Sequence, residues 1–167
     1  MEREGELPII LIGSSWGAWL SYLFAARHPS MVKKLILVAS GPFEEKYVSI
    51  LKETRMNRLN EDEKNEMQEL LKELNELKIQ NRSVLFAKIG TLFTKTDSYK
   101  PINYTCDTIE FQPEVYSKIW EEAKNLRASG TLLELGKNIN CPVVAIHGDH
   151  DPPSLSWGKR SFISYSK

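Results

Sequence analysis

The chain has 167 residues, 41% of them apolar and 26% charged, which suits one globular domain with a buried core. Its 22 basic and 22 acidic residues cancel, so no overall field draws it to nucleic acid or to an anionic membrane surface. The N-terminal MEREGELP is acidic and lacks an apolar signal segment, and no run of about 18 apolar residues occurs, so a cytoplasmic protein without a membrane span is expected.

In chain order, Leu7 to Ile12 is a short apolar run ending at Gly13, and its β-branched content predicts a strand buried on both faces. A helix is predicted from Trp16 to Arg27, with Trp19, Leu20, Leu23 and Phe24 at helical spacing and Pro29 as the stop. Val32 to Ala39 reads as the next strand, closed by Ser40-Gly41-Pro42. Strand, helix and strand in so short a stretch make a βαβ unit with parallel strands.

Between Phe43 and Ile139 the pattern turns helical. Asn60 and Glu63 form a capping box, and Met67, Leu70, Leu71, Leu74 and Leu77 make an apolar packing stripe on a charged helix. Asn81 to Phe93 predicts another helix. Pro113 opens a third, in which Val115, Ile119, Trp120, Ala123 and Leu126 share a face before Gly130 ends it. Leu132, Leu133 and Leu135 suggest one more short helix. Pro142 to Ile146 is again a short buried strand, running into the turn His147-Gly148-Asp149-His150-Asp151. Cys106 and Cys141 are too few and too distant to form a disulfide framework or a metal site, and they read as reduced structural thiols.

The chemistry-bearing stretch is Gly13-Ser14-Ser15-Trp16-Gly17, a G-x-S-x-G pattern between a predicted strand and a predicted helix. A serine hydroxyl becomes a nucleophile only when a base takes its proton and it stands clear of its own backbone. A sharp strand-to-helix turn supplies that exposure. Its neighbours two residues either side crowd each other, which calls for glycine at both Gly13 and Gly17. The helix that starts at Trp16 points N–H groups and its positive end at the reacting oxygen.

From Pro8 to Pro42 the sequence resembles the nucleophile elbow and following strand of the α/β-hydrolase family, and CPVVAIHGDHDP resembles the family's strand and turn that carry the triad acid. The resemblance implies an α/β fold: a partial parallel sheet from residues 1–42 and 140–167, with residues 43–139 inserted as a helical cap over the active site. It implies a serine hydrolase acting on an ester or amide through an acyl-enzyme. Ser15 is the nucleophile, Asp151 the acid, preferred over Asp149, and the Trp16 N–H an oxyanion donor. Trp120, Tyr116 and Phe111 are possible pocket-lining aromatics. No cofactor and no metal are implied, and the expected partner is a small-molecule ester or amide, not nucleic acid or membrane.

The family also has strands before the elbow, a second oxyanion donor on one of their loops, and a histidine after the acid. Six residues precede Leu7, and positions 152–167 contain no histidine. His28 reads as a helix-capping residue, and His147 and His150 flank the acid turn rather than occupying the base position. A fragment that is weakly active or inactive is therefore expected. The alternative is a non-catalytic interaction protein that self-associates through unpaired sheet edges.

Overall fold

The computed structural model describes residues 7–76, 82–100 and 113–152. Leu77, Cys106, Phe111 and the segment 153–167 lie outside them. Two compact units form, one from residues up to 48 and from 125 onward, the other from 49–124.

The first unit is α/β. Strand β1 (Ile9–Ser14) is joined by helix α1 (Trp16–Arg27) and a single 3₁₀ turn to β2 (Val32–Val38), and β3 (Val143–Ile146) completes a three-stranded sheet in the order β1-β2-β3. Both pairings are parallel, with Ser14 opposite Val38 and Val38 opposite Ile146. All three strands therefore end on one edge of the sheet.

Helix α1 packs on β1 and β2 through Ala18, Trp19, Tyr22, Ala25 and Ala26, all buried, as are Leu35 and Leu37 beneath them. The expected stripe of Trp19, Leu20, Leu23 and Phe24 is thus corrected. Trp19 is buried, but Leu20 is 52% exposed. Close approach of helix to sheet selects small side chains at the contact, so alanines rather than leucines mark the buried face.

The expectations that β1 is buried on both faces and that β3 is a buried strand are also corrected. Ile10 and Ile12 are 50% and 64% exposed, and Val143, Val144 and Ile146 are exposed as well. Among the described residues a single helix covers one face of β1 and β2, which leaves the apolar residues of the other face in contact with solvent.

Behind α1, helix α6 (Thr131–Glu134) and a 3₁₀ turn (Leu135–Asn138) bury Leu132 completely. The Tyr22 hydroxyl donates to the Leu133 carbonyl at 3.1 Å.

The second unit is helical: α2 (Val48–Asn57), α3 (Glu61–Glu76), α4 (Arg82–Asp97) and most of α5 (Pro113–Ala128). The capping box is present at the start of α3: the Glu63 N–H donates to Asn60 Oδ1 at 2.9 Å and the Asn60 N–H to Glu63 Oε2 at 3.0 Å. Met67 and Leu70 join Leu59, Leu85, Ile89 and Leu92 in one buried cluster, with Leu74 packed against it, so that stripe is packing. Leu71 is exposed. Helix α2 is an element the sequence pattern missed. Its Arg55 forks onto Asp97 at 2.8 and 2.5 Å while its guanidinium lies over the Phe93 ring. Gly130, at φ 76°, takes the left-handed conformation that stops α5. Among the described residues, no helix is long and apolar enough to cross a membrane.

Candidate active site

Ser15 is the one residue between β1 and α1, and its backbone lies at φ 52° and ψ −117°. A non-glycine residue with positive φ is strained, at a cost of order 1–3 kcal/mol, and persists only where its surroundings impose it. They do so here. The Ser15 N–H donates to the Val38 carbonyl at 2.9 Å and its carbonyl accepts the Ala18 N–H at 3.1 Å, so sheet and helix hold it from both sides. A serine ahead of a helix ordinarily spends its hydroxyl on the first-turn N–H groups. The Ser15 side chain makes no such bond and is exposed.

The two glycines play unequal parts. A Cβ on Gly13 would lie 2.1 Å from the Gly17 carbonyl oxygen and 2.5 Å from Ser21 Oγ, so no side chain fits there. At Gly17 a Cβ would meet nothing within 4 Å. The requirement for glycine at both positions is therefore corrected to one: the crowding is between a Cβ at 13 and the backbone at 17, which leaves residue 17 free to carry a side chain.

Trp16 is the first residue of α1, at the positive end of the helix. Its ring lies 5.6 Å from that of Trp19. Trp19 is fixed in turn by its Nε1–H donating to the Gly41 carbonyl at 3.3 Å and by the Arg127 guanidinium over its ring. Arg127 is itself held by Glu45 at 2.5 Å.

The turn that carries Asp151 rises from the end of β3. The Ala39 N–H donates to the Ile146 carbonyl at 2.8 Å, tying β2 to β3 just beyond the register that ends at Val38 and Ile146. Gly148 and Asp151 close the turn on each other. The Asp151 N–H donates to the Gly148 carbonyl at 3.0 Å, and the Gly148 N–H donates to Asp151 Oδ2 at 2.8 Å. The structure thus brings Ser15 and Asp151 to the same sheet edge, on strands separated by β2. At about 4.8 Å per strand, roughly 10 Å separates those two strands. Asp149 is exposed in the same turn.

Two residues the sequence reading passed over stand at this edge. Ala39 has φ 46°, a second strained position beside Ser15. Ser40, 2% exposed, places its Oγ 3.5 Å from His147 Nε2. The His147 side chain is 3% exposed, its Nδ1 lies 3.7 Å from Asp151 Oδ2, and burial pushes its imidazole below the ordinary histidine range while the Asp151 charge acts in the opposite sense. No short-range pattern links Ser40 to His147, because they meet only through the β2–β3 pairing.

His28 lies at the far end of α1, its N–H bonded to the Phe24 carbonyl at 2.8 Å and its ring against that of Phe24, so it closes the helix. His150 stays within the turn that carries Asp151. Burial pushes the Cys141 thiol up, away from reactivity. Trp120 is exposed on α5; Phe111 and the side chain of Tyr116 lie outside what the structure describes. No three His, Cys, Asp or Glu side chains among the described residues are grouped to hold a metal ion.

No protein-family model and no curated protein matches the chain. Solved structures do. The crystal structure of VinJ aligns with a TM-score of 0.52 at 16% identity over 93% of this chain and 54% of its own. A candidate lipase, lip1, of Acinetobacter baumannii AYE aligns at 0.47 and 19% over 93% and 49%. The thioesterase domain of the curacin biosynthetic pathway aligns at 0.41 and 22% over 98% and 57%. The chain spans about half the length of the structures it resembles, and the likeness to VinJ is one of fold.

Proposed function

We propose that this chain, which has the α/β-hydrolase fold, carries the nucleophile and acid of a serine hydrolase that cleaves an ester or amide through an acyl-enzyme. The observation that carries the reading is the backbone of Ser15, held at φ 52° between a parallel strand and a helix N-terminus with its hydroxyl exposed and uncommitted to capping. That placement suits attack of Ser15 Oγ on a carbonyl carbon. The tetrahedral oxyanion would meet the Trp16 N–H, and Asp151 would orient the imidazole that takes the Ser15 proton and returns it to the leaving group. Of the expected cap 43–139, we assign the helical unit 49–124 as the cap insertion on chain order, since residues from 125 onward cluster with the sheet.

The imidazole is the part these residues do not place. His28 closes a helix, while His147 and His150 belong to the acid turn. A general base contributes about 10²- to 10⁴-fold, so the 167-residue chain by itself is proposed to be nearly inert toward an activated aryl ester. The test is chemical rescue. Imidazole added to the solution is expected to promote covalent labelling of Ser15 by a fluorophosphonate, and a chain equally unlabelled with and without imidazole would refute the reading.

A second reading is favoured by the exposed apolar residues of the outer strands, Ile10, Ile12, Val144 and Ile146. In this reading a second copy covers them, since outer strands with unpaired edges invite association. Sedimentation at twice 19.2 kDa supports it, and a strictly monomeric chain refutes it.

A further inference from the structure

At the carboxyl end of β2 and β3, three side chains stand in line: Ser40 Oγ, 3.5 Å from His147 Nε2, and His147 Nδ1, 3.7 Å from Asp151 Oδ2. The order is that of a hydroxyl, an imidazole and a carboxylate, yet it is no second catalytic triad, because Ser40 is 2% exposed and cannot meet a substrate. The arrangement nevertheless dictates where the imidazole proton sits. A neutral imidazole has one donor and one acceptor nitrogen. Asp151 Oδ2 already accepts the Gly148 N–H, so it faces His147 Nδ1 as an acceptor, and Nδ1 must be the donor. Nε2 is then a lone pair, and only a hydroxyl turned to donate can satisfy it. Ser40 supplies that hydroxyl. Nδ1 is buried without a hydrogen-bond partner, and a buried N–H left unpaired is costly, which favours closing the remaining few tenths of an ångström onto Asp151.

We propose that Ser40 and His147 position Asp151: Ser40 Oγ–H donates to His147 Nε2, which fixes the proton on Nδ1, and that N–H holds the Asp151 carboxylate toward the sheet edge that carries Ser15. His147 is a positioning residue, and once Nδ1–H closes on Asp151 both nitrogens are engaged and it is withheld from Ser15 as a base. The tautomer stands on geometry; the positioning role rests on Asp151 being the acid of the proposed hydrolase.

Two measurements on the full chain separate these layers. Long-range ¹H–¹⁵N NMR of the His147 ring at neutral pH is expected to give a protonated Nδ1 and an unprotonated Nε2. Ser40→Ala is expected to shift the ring toward the other tautomer, and Ser15→Ala to leave it unchanged. A protonated Nε2 or an even mixture in the unmodified chain overturns the proposal without any variant having to fold. Imidazole-promoted labelling of Ser15 gives the second readout. His147→Ala is expected to lower it toward the roughly 10²-fold loss that a 1 Å misplacement can cause, and His147→Asn, whose amide N–H mimics Nδ1–H, to restore it. Equal loss in both variants overturns the positioning role. The expected tautomer with no Ser15 labelling in the unmodified chain removes the hydrolase reading and the positioning role together.

Discussion

Gly13 and Gly17 meet backbone against missing side chain: the Cβ that Gly13 lacks would sit 2.1 Å from the Gly17 carbonyl oxygen. The turn at Ser15 is possible because β1 runs into α1 at a distance no L-residue at position 13 allows. Gly13→Ala must move backbone and is expected to destabilise the chain by roughly 3 kcal/mol, the upper end of overpacking costs. Gly17→Ala meets open space inside a helix and is expected to stabilise by about 0.5–1 kcal/mol. Urea unfolding of the two variants checks this, and equal losses would mean that the turn is not as described.

Strain at Ser15 gives a second expectation. Glycine accepts positive φ without the penalty a serine carries there, so Ser15→Gly is expected to be more stable than the parent by about 1 kcal/mol, or 2–4 °C in Tm for a chain of this size. Ser15→Ala keeps a Cβ at φ 52° and is expected to gain nothing. Calorimetry of both variants decides it, and a destabilised Ser15→Gly would argue against stored strain.

What was legible in the sequence was what is local. The bounds of α1, the strand-to-helix turn at Ser15 and the Asn60–Glu63 box each depend on residues a few positions apart, and each stands where the pattern put it. The buried face of α1 was not legible, because helix-to-sheet closeness favours Ala18 and Ala25 over the more hydrophobic Leu20 and Leu23. The Ser40–His147 contact joins residues 107 apart, and only strand pairing creates it. The exposure of Ile12 and Val144 went unforeseen because an apolar run states what a strand can bury, not what covers it.

Acidity provides a third test. His147 has its folded-state value pushed down by burial against the partial opposition of Asp151, so it lies below the unfolded value of about 6.5. Between those two values the unfolded chain binds more protons. Stability is therefore full above about pH 6.5 and falls as pH drops through the interval toward the folded value. His147→Asn is expected to remove this portion of the acid dependence in urea titrations at successive pH values, and an unchanged slope would place the effect elsewhere.

Tyr22 and Gly136 give a fourth test, since a Cβ at position 136 would lie 2.2 Å from the Tyr22 hydroxyl oxygen, itself bonded to the Leu133 carbonyl. Gly136→Ala is expected to destabilise, Tyr22→Phe to cost about 0.5–1.5 kcal/mol, and the double variant to cost less than the sum. Additivity within about 0.5 kcal/mol would show that the two do not couple.

The proposal that Ser15 is a nucleophile to which the described residues bring no base is open to direct measurement. Mass spectrometry of the Ser15 peptide after fluorophosphonate treatment, with and without imidazole, measures it most directly. Little adduct is expected in buffer, with a rise on the order of 10²-fold with imidazole, the low end of what general-base catalysis supplies, and loss of that rise in Asp151→Ala. Labelling of Ser15 that is absent in both conditions, or already rapid without imidazole, would contradict it.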